Sequence, residues 1–114
     1  MIINTTNKKI IAKEETILTS FWSKGLGLMF SIRPKTLIFA FKNEQIISLH
    51  MFFVFFPIDI LYLDKNKIVV EKKENFRPFT MYTPKNKAQY VIELPENSIK
   101  EIKIGDCLTF DQLE

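Results

Sequence analysis

"LHMFFVFFPIDILYLD", Leu49 to Asp64, is the oiliest stretch of the chain, and its reading decides the fold. It is too short for a membrane span. The charge-free run extends over 13 residues, from Ile46 to Ile58, whereas a spanning helix needs about 20. Pro57 would break a helix late in the run, and Asp59 closes it. A buried strand or pair of strands remains. Phe52, Phe53, Phe55 and Phe56 sit close together, so they point to both faces of any strand. Apolarity on both sides suits a central strand that is covered on both faces.

The flanking sequence supports a mainly β chain. Apolar runs rich in Phe, Ile, Val, Tyr and Thr suit a pleated, half-buried surface. They predict strands at Ile2–Asn4, Lys9–Lys13, Thr36–Phe41, Ser48–Phe53, Ile58–Asp64, Lys67–Lys73, Ala88–Leu94 and Cys107–Phe110. Short strands separated by turn residues predict a β-sandwich or jelly-roll-like barrel. "YLDKNKIVVE" reads as a hairpin in which Asn66 takes the positive φ of the turn. Two short helices are expected. One lies in "EETILTSFWSKGLG", where Ile17, Leu18, Phe21 and Trp22 share a helical face and Gly25 or Gly27 ends it. The other lies in "LPENSIKEIKIGD", with Asn97 or Ser98 as cap. "KKENFRPFTMYTPKNKAQ" predicts an edge strand running into a long surface loop, because Pro78 and Pro84 cannot donate to a ladder.

The 114 residues predict one domain, residues 1–114, with a core large enough to need neither disulfide nor metal. The net charge of +3 is too mild to argue for an anionic partner. The single cysteine, Cys107, excludes an intramolecular disulfide and fits a reducing compartment. "MIINTTNKKIIAKEE" does not have the basic start and long apolar region of a signal peptide. The expected location is the cytoplasm, with no membrane association.

Several pieces, in order, carry a resemblance. They are "GLM" at Gly27–Met29, "LIFAF" at Leu37–Phe41, "HMFFVFFPIDILYLD" at His50–Asp64, "KIVVE" at Lys67–Glu71, "FRPF" at Phe76–Phe79, "YVIELP" at Tyr90–Pro95 and "IGD" at Ile104–Asp106. The chain resembles domain of unknown function family 192, small uncharacterised prokaryotic proteins. The resemblance covers the chain from about Ile17 onward. It implies a compact β-sandwich of jelly-roll character and no accepted activity. Many relatives carry Trp-Met in place of His50-Met51, Asn-Thr in place of Phe53-Val54, and glycine in place of Asn97, a position where asparagine tolerates the left-handed conformation.

Candidate functional residues are few. Asp59 interrupts an apolar stretch and matches the family pattern. It is either an acid or base in a cleft or a structural carboxylate that accepts backbone N–H bonds. His50 and Cys107 would need a separation of about 3 Å to act as base and nucleophile, and nothing in the sequence brings them together. No metal site or cofactor is expected, since zinc asks for three or four Cys and His ligands. Met29 and Met51 fall in family motifs and suit either a ligand groove or a core. Lys72, Lys73, Arg77, Lys85 and Lys87 alternate with Phe76, Phe79 and Tyr82, a pattern that can stack and contact single-stranded nucleic acid, although Glu71 and Glu74 dilute it.

Eleven Phe and one Trp are many for so small a core. The excess predicts a pocket or an interface, a homodimer included. The leading expectation is a non-catalytic binding module for a small apolar ligand or a protein partner. Its ligand would sit between the sheet and the Pro78–Pro84 loop, at Met29, Met51, Asp59, Phe79 and Tyr82. The alternatives are a small enzyme using Asp59 as general acid or base, with Arg33 or Arg77 holding an anion, and a weak nucleic-acid binder acting through residues 72–87.

Overall fold

Ile58–Leu63 is an inner strand with all six residues buried, hydrogen-bonded to a neighbour on each side. The structure is a computed structural model, and it describes residues 1–18, 36–50 and 56–110. Its strands are β1 (Ile2–Asn4), β2 (Lys9–Ala12), β3 (Thr16–Leu18), β4 (Leu37–Gln45), β5 (Leu49–His50), β6 (Ile58–Leu63), β7 (Val69–Phe76), β8 (Met81–Tyr82), β9 (Ala88–Pro95) and β10 (Leu108–Thr109). A five-stranded sheet runs β3-β4-β9-β6-β7, a three-stranded sheet β10-β1-β2, and β5 pairs with β8. The β3–β4 pair is parallel and the other pairs are antiparallel.

Strand alternation divides the core into two clusters, one on each face of the five-stranded sheet. Ile38, Leu61, Leu63, Ile92 and Leu94 pack against Ile2 and Leu108 of the small sheet and against Ile99 and Ile102 of the 96–106 turns. Leu37, Phe39, Ile58, Ile60, Tyr62 and Val91 pack on the other side, with Ile47, Leu49 and Tyr82 laid over them. The fold is therefore a mainly β sandwich whose large sheet carries apolar cover on both faces.

The expected helices are corrected, since no helix occurs among the described residues. In "EETILTSFWSKGLG", Thr16–Leu18 is strand β3, parallel to β4, and the remainder from residue 19 lies outside the described residues. Ile17 and Leu18 fit a strand as well as a helical face, and an available sheet edge settles the choice. In "LPENSIKEIKIGD" the chain makes successive turns. Asn97 takes a left-handed φ of 69°, which stops a helix at its start. Ile99 and Ile102 still share a direction, because a turn closed by the Ile102 N–H on the Ile99 carbonyl at 3.1 Å sends both into the core.

The β6–β7 hairpin forms as expected, but its positive φ falls on Lys67, at 63°, rather than on Asn66. Asp64 sets this: its Oδ1 accepts the N–H groups of Asn66 and Ile68 at 2.8 and 3.0 Å. The Lys67 ammonium then lies 4.5 Å from the centre of the Phe110 ring, within cation–π range. β7 is the edge strand that the sequence predicts, and β8 interrupts the loop that follows it.

Candidate functional site

Glu93 sits in the middle of β9, beside Leu37 of β4 and Ile60 of β6. Its neighbours along the same face are Phe39, Val91 and Tyr62, because Val91 pairs with both of the others. The residue is 6% exposed, and no hydrogen-bond partner reaches its Oε2. Among the described residues, one other buried side-chain oxygen is orphaned, Oε2 of Glu15, but that carboxylate pairs through its other oxygen with the terminal amine of Met1. Glu93 has no such relief. Burial pushes its pKa up to about 8, because the charged form loses hydration with no partner to replace it.

Next to it lies a polar network that is fully used. Burial pushes the Tyr62 phenol well above its ordinary value, and the charges of Glu71 and Glu93 add to the effect along with Tyr82. Its hydroxyl donates to the Ile47 carbonyl at 3.4 Å. Glu71 stands opposite Tyr62 on β7 and accepts the Tyr82 hydroxyl, the Lys85 and Asn86 N–H groups at 2.9 and 3.0 Å, and the Asn86 side-chain amide at 2.9 Å. Burial raises its pKa, but those hydrogen bonds outweigh burial and the net direction is down. Burial and the Glu71 contact push Tyr82 up to about 12. Glu71 thus clasps the 82–86 loop onto the sheet, and the Tyr82 ring packs against Tyr62 and Phe76 at centroid distances of 6.1 and 6.2 Å.

The residues singled out from sequence fall in different places. Asp59 is buried, at 1% exposure; its Oδ1 accepts the Asn75 N–H at 3.0 Å and its Oδ2 the Ser98 N–H at 2.9 Å. It brackets the bulged end of β7 to the 95–98 turn, which is the structural role weighed for it. Asp59 lies on the face opposite Glu93, since 59 pairs with Leu94 while Glu93 pairs with 60. Tyr82 is in the network above, and Phe79 is 58% exposed with a left-handed φ of 62°. Met29, Met51 and Arg33 lie outside the described residues. Of the described positions, Asp59 and Tyr82 lie on opposite faces of the large sheet.

Two further patterns separate as well. β5, which carries His50, lies over the Glu93 face, while Cys107 precedes β10 in the small sheet over the other face. The 72–87 segment divides too. Lys72 donates to the Ile102 carbonyl at 2.8 Å, Lys73 lies over the Tyr82 ring at 5.5 Å, Phe76 is buried, and the Tyr82 hydroxyl is engaged. Of the three aromatic rings proposed for stacking, Phe79 stands exposed. Among the described residues no three His, Cys, Asp or Glu are grouped to hold a metal ion, and no helix is long and apolar enough to cross a membrane.

Sequence reasoning missed Glu93. The available signal was "YVIELP", in which the acid interrupts Val91, Ile92 and Leu94. An apolar residue on each side of a charge marks a strand covered on both faces.

The model of the uncharacterised ACR family, domain of unknown function 192, matches residues 2–110. A UPF0127 protein of Thermococcus sibiricus is 35% identical over 116 residues, covering 97% of this chain and 75% of the relative. A UPF0127 protein of Pyrococcus horikoshii is 36% identical over 105 residues, 90% of each chain. A crystal structure of a protein of unknown function from Novosphingobium aromaticivorans superposes with a TM-score of 0.77 at 19% identity, covering 84% of this chain and 74% of that one. The last comparison shows a shared fold. The chain belongs to the uncharacterised ACR family, domain of unknown function 192.

Proposed function

We propose that this protein is a non-catalytic binding module for a small, mainly apolar ligand that meets Glu93 through one polar group. The observation that carries the reading is the orphaned Glu93 Oε2, buried on an aromatic-rich sheet face. Burying a carboxylate without a partner is unfavourable by several kcal/mol in a dry interior (about 2–7 kcal/mol even for a neutral polar group). Such a group marks a place where a ligand can supply the missing hydrogen bond. Leu37, Phe39, Ile60 and Tyr62 provide apolar surroundings for the rest of that ligand. On this proposal residues 1–114 act as one domain in the cytoplasm, and the exposed Phe79 and Met81 are the surface for a protein partner or a second copy.

A thermal-shift screen of small apolar compounds, with native mass spectrometry of the same samples, tests the reading. Stabilising hits that are lost in Glu93→Gln support it. A uniformly ligand-free monomer, with no compound raising Tm, overturns it.

A further inference from the structure

We propose that the ligand is a small alkylammonium ion, with its cationic head on the Glu93 carboxylate and its apolar tail on the same sheet face. This deepens the binding reading and rests on it. The face offers a cation a carboxylate with a vacant acceptor, and places the aromatic residues Phe39 and Tyr62 in the adjoining row of the sheet. A ring's negative π face and a carboxylate both favour an ammonium group over a neutral donor.

The charges around Glu93 leave that place to an outside cation. The elements packed on this face carry Glu71 and Lys73 of β7, Tyr62 of β6, Tyr82 of β8, His50 of β5 and Lys85 of the 82–86 loop as charged or titratable residues. Glu71 is satisfied by four hydrogen bonds. Lys73 pairs with Ile60 across the sheet, which puts its backbone two strands, roughly 10 Å, from Glu93. Its ammonium is spent over the Tyr82 ring. An anionic ligand would meet two carboxylates on this face.

An ammonium requires Glu93 to be ionised in the complex, and the free group holds its proton to about pH 8. Binding therefore releases a proton below that pH, and affinity rises about tenfold per pH unit up to it. Above it both quantities level off.

The test is calorimetric titration of the full chain with n-hexylammonium, and with 1-hexanol as the neutral analogue. Buffers of differing ionisation enthalpy at pH 6 and pH 9 report the protons exchanged. The expected result is at least tenfold tighter binding of the amine at pH 8, with close to one proton released at pH 6 and almost none at pH 9. Glu93→Gln should abolish both the preference for the amine over 1-hexanol and the proton release at pH 6. Hexanol binding as tightly as the amine, or amine binding without proton release at pH 6, overturns the ammonium assignment and leaves the binding module standing. Failure of both probes overturns both.

Discussion

Two buried carboxylates in this fold differ in their hydrogen bonding, and each makes a prediction. Asp59 is held by two main-chain N–H groups. Removing it leaves both donors without their acceptor. Asp59→Ala should cost about 2–4 kcal/mol by urea denaturation, and Asp59→Asn less, since one carbonyl oxygen remains to accept. A change below about 0.5 kcal/mol would show that the bracket does not hold β7 to the 95–98 turn. Glu93 has its pKa raised from 4.5 to about 8. The folded chain then binds more protons than the unfolded one between those values, so the stability contributed by the neutral form is lost as pH rises through that window. At 1.36 kcal/mol per pH unit the loss is on the order of 4–5 kcal/mol. Glu93→Gln should flatten Tm across pH 5 to 9 and exceed the parent at pH 9. Glu71 and Asp106 act in the other sense, because hydrogen bonds hold both below their ordinary values. Their contribution is present above the ordinary carboxylate range and is lost as pH falls through it.

At the scale of elements, the turns record which residues tolerate an awkward backbone. Phe79 has a φ of 62°, and a bulky side chain there is strained by about 1–2 kcal/mol. Phe79→Gly should relieve that strain, and the change is expected to raise Tm; a fall of several degrees would mean that the ring's packing outweighs the strain. Asn97, at 69°, is the milder case, and Asn97→Ala should cost about 1 kcal/mol while Asn97→Gly stays near neutral. This turn also explains one misreading. The three-residue spacing of Ile99 and Ile102 is a real signal of shared burial, but two turns meet it as well as a helix does. β6 was easy to read because every residue from Ile58 to Leu63 is apolar except Asp59. β3 was hard, since a three-residue parallel strand takes its identity from a partner, β4, that sequence spacing does not name. β8, of two residues, lies in a stretch whose prolines correctly signalled a loop.

The architecture of the whole molecule accounts for what the sequence concealed. In a sheet with one wet face, an acid between Ile92 and Leu94 would turn to solvent, and the alternation of β9 would read as ordinary. Here both faces are covered, so alternation moves Glu93 from one core to the other and never to water. Two-sided burial is carried by Ile58–Leu63, while Phe52, Phe53 and Phe55 lie outside the described residues and Phe56 precedes the strand; its consequence for a strand about thirty residues later depended on pairing. The same layering sets how the molecule opens. β6 and β9 are inner strands with buried residues from both clusters, while β2 and β8 lie at edges, with Ile10 and Met81 exposed by 55% and 60%. Amide hydrogens of Leu61 and Ile92 should therefore exchange through global unfolding alone, with denaturant dependence matching the equilibrium m-value. Those of Ile10 to Ala12 and of Tyr82 should exchange at least about tenfold faster through local opening. Native-state hydrogen exchange read by NMR separates the two classes. If the β2 and β8 amides were as protected as those of β6, the small sheet and the Glu71 clasp would unfold together with the large sheet as one unit, and the layers would not be independent.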